Sequence, residues 1–195
     1  MIRIQLPNRP ASFPNAVAAV ISLLYLMPTG VVAGEGTGPE ATMSAIECEV
    51  FRRELSFADS VERHDAVAFS AHLLPGAVFD VGTITPIRGA DAIKEAWADI
   101  ISGKVFLLKW RPQFALVGSD PDLAITHGPY LIRQTSADGS AAYFSGRFSS
   151  VWKRMPDGQW YALFDGGGEP PRPIGAVEAE AIFDGLPKVC EATNG

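Results

Sequence analysis

The feature that most constrains the fold is a change of pattern at Lys104, after which the chain reads as long β-strands joined by short turns. Four extended segments follow, at residues 105–117, 123–134, 141–154 and 159–166. Asp-Gly stands in two of the three connections and is typical of hairpin turns in which both central residues have positive φ. Consecutive hairpins predict a meander, hence an antiparallel sheet. Pro112 predicts a bend or bulge within the first segment.

The part of the chain before this sheet is predicted to contain three helices and a strand. The helices are expected over residues 43–63, from the N-cap Asp65 to Pro75-Gly76, and over 92–102 with Asp91 as cap. The strand is expected over residues 77–82. A bent sheet with helices on one face is an α+β arrangement, and it leaves a cavity at the wide end of the wrap.

The composition fits one globular domain. The chain has 195 residues, of which 47% are hydrophobic and 19% charged. Its formal net charge is -6 and it has no basic run, so a nucleic-acid partner is not expected, because such partners need a basic face. No glycine-rich phosphate loop, nucleophile elbow or Cys/His dyad occurs, and no cofactor is expected.

The first 33 residues differ from the rest of the chain. They contain no Asp or Glu, their side-chain charges are Arg3 and Arg9, and residues 16–27 are uncharged. Small residues end the segment at Ala33. This pattern predicts a secretory signal peptide over residues 1–33, cleaved after Ala33, and therefore a periplasmic or secreted protein. The apolar run is shorter than the roughly 20 residues of a membrane span, so no stable insertion is expected after cleavage. An uncleaved anchor is the alternative.

Three further segments are predicted: a linker at 34–44, the α+β domain at 45–168 and a proline-rich tail at 169–195. The tail is expected to hold a weak helix and otherwise little structure. In an oxidising compartment Cys48 and Cys190 would pair and tie this tail to the first helix; two separate thiols are the alternative. Two distant cysteines and three histidines do not indicate a metal site.

The order of elements and three local strings resemble one known superfamily. The strings are LPGAVFDVGTITPIRG at 74–89, ADAIKEAWA at 90–98 and DGQWYALFDGGG at 157–168. Together they resemble the SnoaL-like and ketosteroid-isomerase-like proteins of the nuclear transport factor two-like superfamily, in particular its secreted branch. The resemblance spans about 45–168 and implies a cone-shaped, mixed but mainly antiparallel sheet packed on three N-terminal helices, the cystatin-like arrangement. That fold serves enzymes, ligand carriers and oligomerisation modules alike.

Three residues are candidates for proton transfer. Asp80 stands among apolar neighbours, and the resemblance implies that a carboxylate at this place abstracts a proton next to a carbonyl. Asp165, before three glycines, and His127, in the second long segment, would assist it. The alternatives are a solvated Asp80 at a strand end, an Asp165 bonded to its own turn, and a structural His127. His64 and His72 are expected to be solvated.

The sequence departs from the isomerase pattern at the residues that would stabilise an oxyanion. Phe57 stands where the resemblance implies a tyrosine, and the expected acid falls near Ser149 and Ser150. An enolate would lack acidic hydrogen-bond donors there, so steroid isomerisation as such is not expected.

Aromatic residues and one arginine are the candidate lining of a pocket for a flat apolar or aromatic molecule, with core packing as the alternative for each. They are Phe57, Trp97, Trp110, Tyr130, Tyr143, Arg147, Phe148 and Trp152. Arg147 would anchor an anionic group or face water.

Three functions remain open on this basis. The favoured one is an exported small-molecule-binding domain without catalysis. The others are a cofactor-independent isomerase or lyase with Asp80 as general base, and a dimerisation module that uses the sheet face. The enzyme hypothesis gains if Asp80, His127 and Asp165 meet in one cavity, and loses if they scatter.

Overall fold

The computed structural model describes residues 43–167 and 170–192, so the predicted signal peptide and most of the predicted linker lie outside the described residues. The helices are α1 Ala45–Glu62, α2 Ala66–Ser70, α3 Ala90–Ile101 and α4 Ala176–Ala181. The strands are β1 Leu73–Phe79, β2 Ile87–Arg88, β3 Leu107–Trp110, β4 Phe114–Val117, β5 Leu123–Thr135, β6 Ala141–Arg154, β7 Trp160–Gly166 and β8 Arg172–Ile174.

The strands form one sheet in the order β2-β1-β7-β6-β5-β3, with β4 also paired to β5 and β8 to β6. Only the β1–β7 pair is parallel among the described strands. The α+β class with a mixed, mainly antiparallel sheet is therefore confirmed. Along β5 and β6 the side chains alternate between the face towards α1, here called the inner face, and the outer face.

The meander agrees with the sequence, but its turns differ in detail. Gly139 and Gly158 have φ of 81° and 78°, whereas the aspartates before them do not have positive φ. The Asp138 and Asp157 carboxylates instead accept hydrogen bonds from the backbone N–H groups of Ser140 and Gln159, both at 2.9 Å. One positive-φ glycine and an aspartate side chain thus shape each turn.

The bend predicted at Pro112 is confirmed, and it divides the first long segment into β3 and β4. On either side of the proline the chain still bonds to β5, from Arg111 N to Pro129 O at 3.2 Å and from Gln113 N to His127 O at 2.8 Å. A Cβ atom on Gly128 would lie 2.0 Å from the Arg111 carbonyl oxygen. The bend therefore requires glycine at this position of β5.

The first helix begins with a capping box. Ser44 Oγ accepts a hydrogen bond from Glu47 N, and Glu47 Oε2 accepts one from Ser44 N at 2.8 Å. The predicted cap of the third helix was wrong, because α3 is capped by Gly89. Asp91 lies in its first turn and forms an ion pair with Lys94.

The first strand starts earlier than predicted and passes through Pro75 and Gly76, which were expected to end a helix. Its register against β7 shifts between Leu73 and Val78, so the proline lies in an irregular stretch. Before the strand, His72 is 3% exposed rather than solvated. Burial, together with the charge of Arg53, lowers the pKa of His72 to about 4, so this histidine is neutral.

The C-terminal segment is more ordered than the sequence indicated. Its strand β8 pairs with the first half of β6, with Tyr143 opposite Ile174 and Ser145 opposite Arg172. Helix α4 follows, and the Sγ atoms of Cys48 and Cys190 form a disulfide. The segment is thereby attached to both the sheet and α1.

The space between α1 and the inner face is filled largely by aromatic rings. Phe57 is its centre, with ring centroids 5.1 Å from Phe69, 5.4 Å from Trp110 and 5.9 Å from Trp152. All four are buried, and burying each contributes roughly 1.5–3 kcal/mol. Among the helices that the structure describes, none is long and apolar enough to span a membrane.

Candidate functional site

A fully buried acid, Glu54, lies at the centre of the interior. It is 0% exposed and projects from the core-facing side of α1. Trp110 Nε1 donates to its Oε1 atom at 2.6 Å, while Thr126 Oγ1 and Trp152 Nε1 donate to Oε2 at 2.5 and 2.9 Å. Indole N–H groups can only donate. Trp110 therefore needs this acceptor in the core, and Trp152 shares its N–H group between Glu54 and Thr126 Oγ1, which lies at 3.0 Å.

The protonation of Glu54 is set by two opposing effects. Burial raises the pKa of this carboxyl, because the charged form loses its hydration, and the hydrogen bonds that it accepts offset part of the rise. The neighbouring Ser150 hydroxyl also favours the charged form of Glu54, and it donates its hydrogen bond to a second acid.

Asp165, near the end of β7, is that second acid. It lies opposite Ser150 on β6, and Ser150 Oγ donates to its Oδ2 atom at 2.6 Å. Burial raises the pKa of Asp165 to about 7, the negative charges of Glu54 and Asp80 act in the same direction, and the Ser150 hydrogen bond opposes them. This carboxyl therefore exchanges its proton near neutral pH.

The sequence predicted Asp80 inside a strand. In the structure it lies directly after β1, with φ of 56°. An aspartate tolerates this left-handed conformation better than most residues. Its neighbour Phe79 pairs with Asp165, and Val81 N donates to the Asp165 carbonyl at 3.3 Å. The backbone carbonyl of Asp80 accepts from Thr83, and burial raises the pKa of its carboxyl.

Glu54, Asp80 and Asp165 together form what we call the acid cluster. Their charges interact across an interior lined by aromatic rings, where like charges are costly. Burial raises the pKa of each of the three carboxyls, so each holds its proton to a higher pH than a solvated acid does. The cluster can therefore give or accept a proton.

An unpaired hydrogen-bond donor lies in the same interior. Trp97 on α3 is 9% exposed, and its Nε1 atom has no hydrogen-bond partner among the described residues. Its ring contacts Phe69 and Phe79, with centroid distances of 5.5 and 5.4 Å. Buried donors are almost always satisfied, so this N–H group is available to a polar atom of a ligand.

His127 lies on the outer face, away from the acid cluster. Its Nε2 atom accepts a hydrogen bond from Arg147 Nε at 2.6 Å, and its Nδ1 atom lies 2.9 Å from Ser149 Oγ. Of the three residues predicted to transfer protons, the structure brings Asp80 and Asp165 together and leaves His127 on the other side of the sheet.

The positions expected to hold oxyanion donors carry other groups. Phe57 is buried in the aromatic core and has no hydroxyl group. Ser149 faces outward to His127, whereas Ser150 is buried and donates to Asp165. The acidic hydrogens near a ligand would therefore come from the acid cluster itself.

Most of the predicted pocket residues pack in the core instead of lining an open cavity. All five of Phe57, Trp97, Trp110, Phe148 and Trp152 are buried. Phe57 contacts Trp110 and Trp152, Trp110 contacts Phe148, and Trp97 packs against Phe69 and Phe79. Tyr130 covers Gly146, whose added Cβ would lie 2.5 Å from the tyrosine hydroxyl, and Tyr143 pairs with β8. Arg147 lines a cavity of about 930 Å³ on the outer face, between the sheet and the C-terminal segment.

Sequence reasoning missed Glu54, although a signal was present. The buried residues of α1 include Val50, Phe51, Phe57, Ala58 and Val61, and Glu54 occupies the same helical face. An acid at a core position of an amphipathic helix requires buried partners, and this pattern could have identified it. No comparable signal exists for the unpaired nitrogen of Trp97.

Comparison with known proteins gives the class of fold. No family model matches the chain, and no curated protein matches its sequence. A nuclear transport factor 2-like superfamily protein from Salmonella enterica matches with a TM-score of 0.53 at 19% identity, over 68% of this chain and 96% of its own. A ketosteroid isomerase-like protein from Erwinia carotovora also matches with 0.53, at 13% identity, over 68% and 99%.

A conserved protein from Planctomyces limnophilus gives the same TM-score of 0.53 at 16% identity, covering 65% of this chain and 95% of that one. These likenesses show that the chain has the nuclear transport factor 2-like fold. The superfamily resemblance predicted from the sequence is thereby confirmed at the level of the fold.

Proposed function

We propose that this chain is an exported small-molecule-binding domain whose ligand places a polar group against the acid cluster. The observation that carries the proposal is the meeting of Glu54, Asp80 and Asp165 within an aromatic interior. Binding sites typically combine apolar walls with a few convergent polar groups and perturbed acids. The aromatic rings favour a flat, largely apolar ligand, and a protonated acid and the Trp97 N–H group would donate to its polar atom.

Export is supported by two independent features. The first 33 residues have the composition of a secretory signal peptide, and Cys48 and Cys190 are joined in a disulfide. Disulfides persist in oxidising compartments such as the bacterial periplasm. We therefore assign the mature chain to the periplasm or the exterior.

Native mass spectrometry of the mature chain, purified from a periplasmic extract, tests the binding function. We expect a small molecule to be retained by the wild-type protein and by Trp160→Phe, which loses a different buried indole N–H group. Trp97→Phe makes the same loss of ring volume as the control but also removes the unpaired donor, and should retain less of the molecule. No retained mass, or equal retention by Trp97→Phe, would count against an interior ligand.

A second candidate, proton transfer next to a carbonyl group, is favoured by the pKa of Asp165. Asp80 would act as the base, and protonated Asp165 would supply the hydrogen bond that Phe57 cannot give to a developing oxyanion. Acids whose pKa values differ can divide the two roles between them.

Deuterium uptake by 2-tetralone, followed by NMR in D2O, tests this second function because its α-protons are exchanged when an enolate forms. We expect exchange above the buffer rate, lost in Asp80→Asn and reduced in Asp165→Asn, while Asp99→Asn on the exposed side of α3 leaves it unchanged. Exchange at the buffer rate with the wild-type protein would refute catalysis of this kind without affecting the binding proposal.

A further inference from the structure

The outer face of the sheet forms a concave surface, separate from the packed interior. Its floor comes from β5, β6 and Gln113 at the bend before β4, and its opposite wall from the segment that contains β8 and α4. The cavity of about 930 Å³ is large enough for a small organic molecule. Both ends of the wall are attached, by pairing of β8 with β6 and by the Cys48–Cys190 disulfide, so the cleft exists before a ligand binds.

The floor of this cleft contains one arginine, Arg147, whose guanidinium can bind an anion. Arg147 donates from Nε to His127 Nε2 at 2.6 Å and from Nη2 to Gln113 Oε1 at 2.7 Å. Both acceptors are neutral, and no carboxylate forms an ion pair with Arg147 in the described part of the chain. By contrast, Arg111 and Arg154 are paired with acids.

The histidine beside Arg147 is held in its neutral form. Because Nε2 accepts a hydrogen bond from the guanidinium, the ring proton lies on Nδ1 and is donated to Ser149 Oγ. Burial and the nearby charge of Arg147 lower the pKa of His127. His127 thus positions the guanidinium and leaves its charge uncompensated.

The rest of the lining sets the kind of ligand. On the opposite wall Arg172 pairs with Glu178, so the lining that the structure describes has one excess positive charge. A ligand with one negative charge balances Arg147, whereas a dianion would lack a second free cation. Beyond the guanidinium the lining is mixed: Ser145 and Ser149 are polar, whereas Pro129, Ile182 and Leu186 give it apolar surface.

We propose that this cleft binds a small organic monoanion, a carboxylate with an apolar body, which pairs with Arg147 and packs against Ile182 and Leu186. A guanidinium fixed by two hydrogen bonds suits a carboxylate, because its remaining N–H groups point in defined directions. The site is independent of the acid cluster, which lies on the opposite face of the same sheet.

Titration of the mature protein with sodium octanoate, followed by ¹⁵N NMR, tests the proposal. We expect shifts at Gln113, Ser149 and Ile182, and none at the indole N–H signals of the interior tryptophans. Arg147→Gln should weaken octanoate binding by about tenfold or more, because it removes the cation of the cleft that has no acidic partner among the described residues. Arg133→Gln, an exposed change of the same charge on β5, is the matched control and should leave binding unchanged.

Two further comparisons distinguish the contribution of the ligand's charge to binding from that of its apolar chain. Octan-1-ol and octyl phosphate should both bind less tightly than octanoate, and Ile182→Glu, which places a negative charge on the wall, should abolish octanoate binding. Equal affinity in Arg147→Gln, shifts confined to the tryptophan indoles, tighter binding of octyl phosphate, or no binding at millimolar octanoate would each overturn the assignment.

Discussion

On the inner face of the sheet three carboxyl groups lie among aromatic rings, whereas on the outer face one guanidinium lies at the floor of an open cleft. The inner acids have raised pKa values, chiefly because burial penalises their charged forms. The outer arginine is exposed and hydrogen-bonded only to neutral groups among the described residues. The two faces therefore present opposite charges in different solvent environments.

Each face of the sheet can support a different kind of chemistry. A buried acid can become neutral by taking up a proton, so the acid cluster can change its charge when a ligand or the pH changes. An arginine stays charged at any ordinary pH, so the outer cleft can recognise an anion but cannot exchange protons with it. Changes on one face should leave the other nearly intact, and this separation can be tested.

The largest effect is expected from Glu54→Ala. The Trp110 indole N–H group and the Thr126 hydroxyl would lose their acceptor in the core, at about 1–3 kcal/mol each, and Trp152 would keep only its hydrogen bond to Thr126, so the free energy of unfolding should fall by about 4 kcal/mol. Urea unfolding measures this, with the exposed Glu95→Ala as a control that should change little. A loss below about 1 kcal/mol would mean that the tryptophans do not depend on Glu54.

Removal of the disulfide should affect the outer cleft more than the interior. The bond joins residues 142 positions apart, and the double variant Cys48→Ala/Cys190→Ala should lose about 3 kcal/mol of unfolding free energy. Octanoate affinity should fall as the wall loses one attachment, while the interior indole signals keep their positions. Shifted indole signals with unchanged octanoate affinity would show instead that the disulfide supports the interior and not the outer cleft.

The pH dependence of stability should change in Asp165→Asn. The folded-state pKa of about 7 exceeds the unfolded value of 3.8, so the native state holds a proton that the unfolded chain releases. The stability contributed by Asp165 is fully present below pH 3.8 and is lost as pH rises through 7. As pH rises from 3.8 to 7, the free energy of unfolding of Asp165→Asn should therefore increase by about 2 kcal/mol relative to that of the wild type. This is less than the full pKa shift would give, because the residue is partly exposed.

Unfolding measured at several pH values in both proteins checks this result. The stability that neutral His72 contributes is lost in the opposite direction, as pH falls from 6.5 to about 4. This loss occurs in both proteins, so it cancels when their free energies of unfolding are subtracted. A difference between the two proteins that stays constant with pH would contradict the raised pKa of Asp165.

The smallest effect is expected from Ser150→Ala. Its hydroxyl favours the charged form of Asp165, so its loss should raise the pKa of that carboxyl further, by an amount worth about 1 kcal/mol. Ser149→Ala on the outer face is the matched control and should leave Asp165 unaffected while altering the His127 ring signals. If both variants shift Asp165 equally, the two faces are not independent.

The parts of the fold that local chemistry determines could be predicted from the sequence. Asp-Gly turns, the bend at Pro112 and the full length of β6 all follow from short stretches of chain. Pairing of β8 with β6 was missed, because a three-residue strand with a proline has almost no periodic signal. The irregular β1 was misplaced since its position depends on parallel pairing with β7.

The candidate site was harder to predict for the same reason. Glu54 bonds to residues 56, 72 and 98 positions away, so only the assembled sheet brings its partners together. Asp80 and Asp165 could be singled out as acids among apolar residues, and they do lie close to each other. The face on which His127 emerges depends on the register of β5, which turn signals alone do not fix.

The most direct test of the account is a ¹³C NMR titration of the Asp165 side-chain carboxyl, assigned by comparison with Asp165→Asn. The acid cluster predicts a midpoint near pH 7, moved upward by Ser150→Ala and left in place by Arg147→Gln. A midpoint near 3.8, the value of an aspartate in an unfolded chain, would contradict the proton-holding interior on which the proposed function depends.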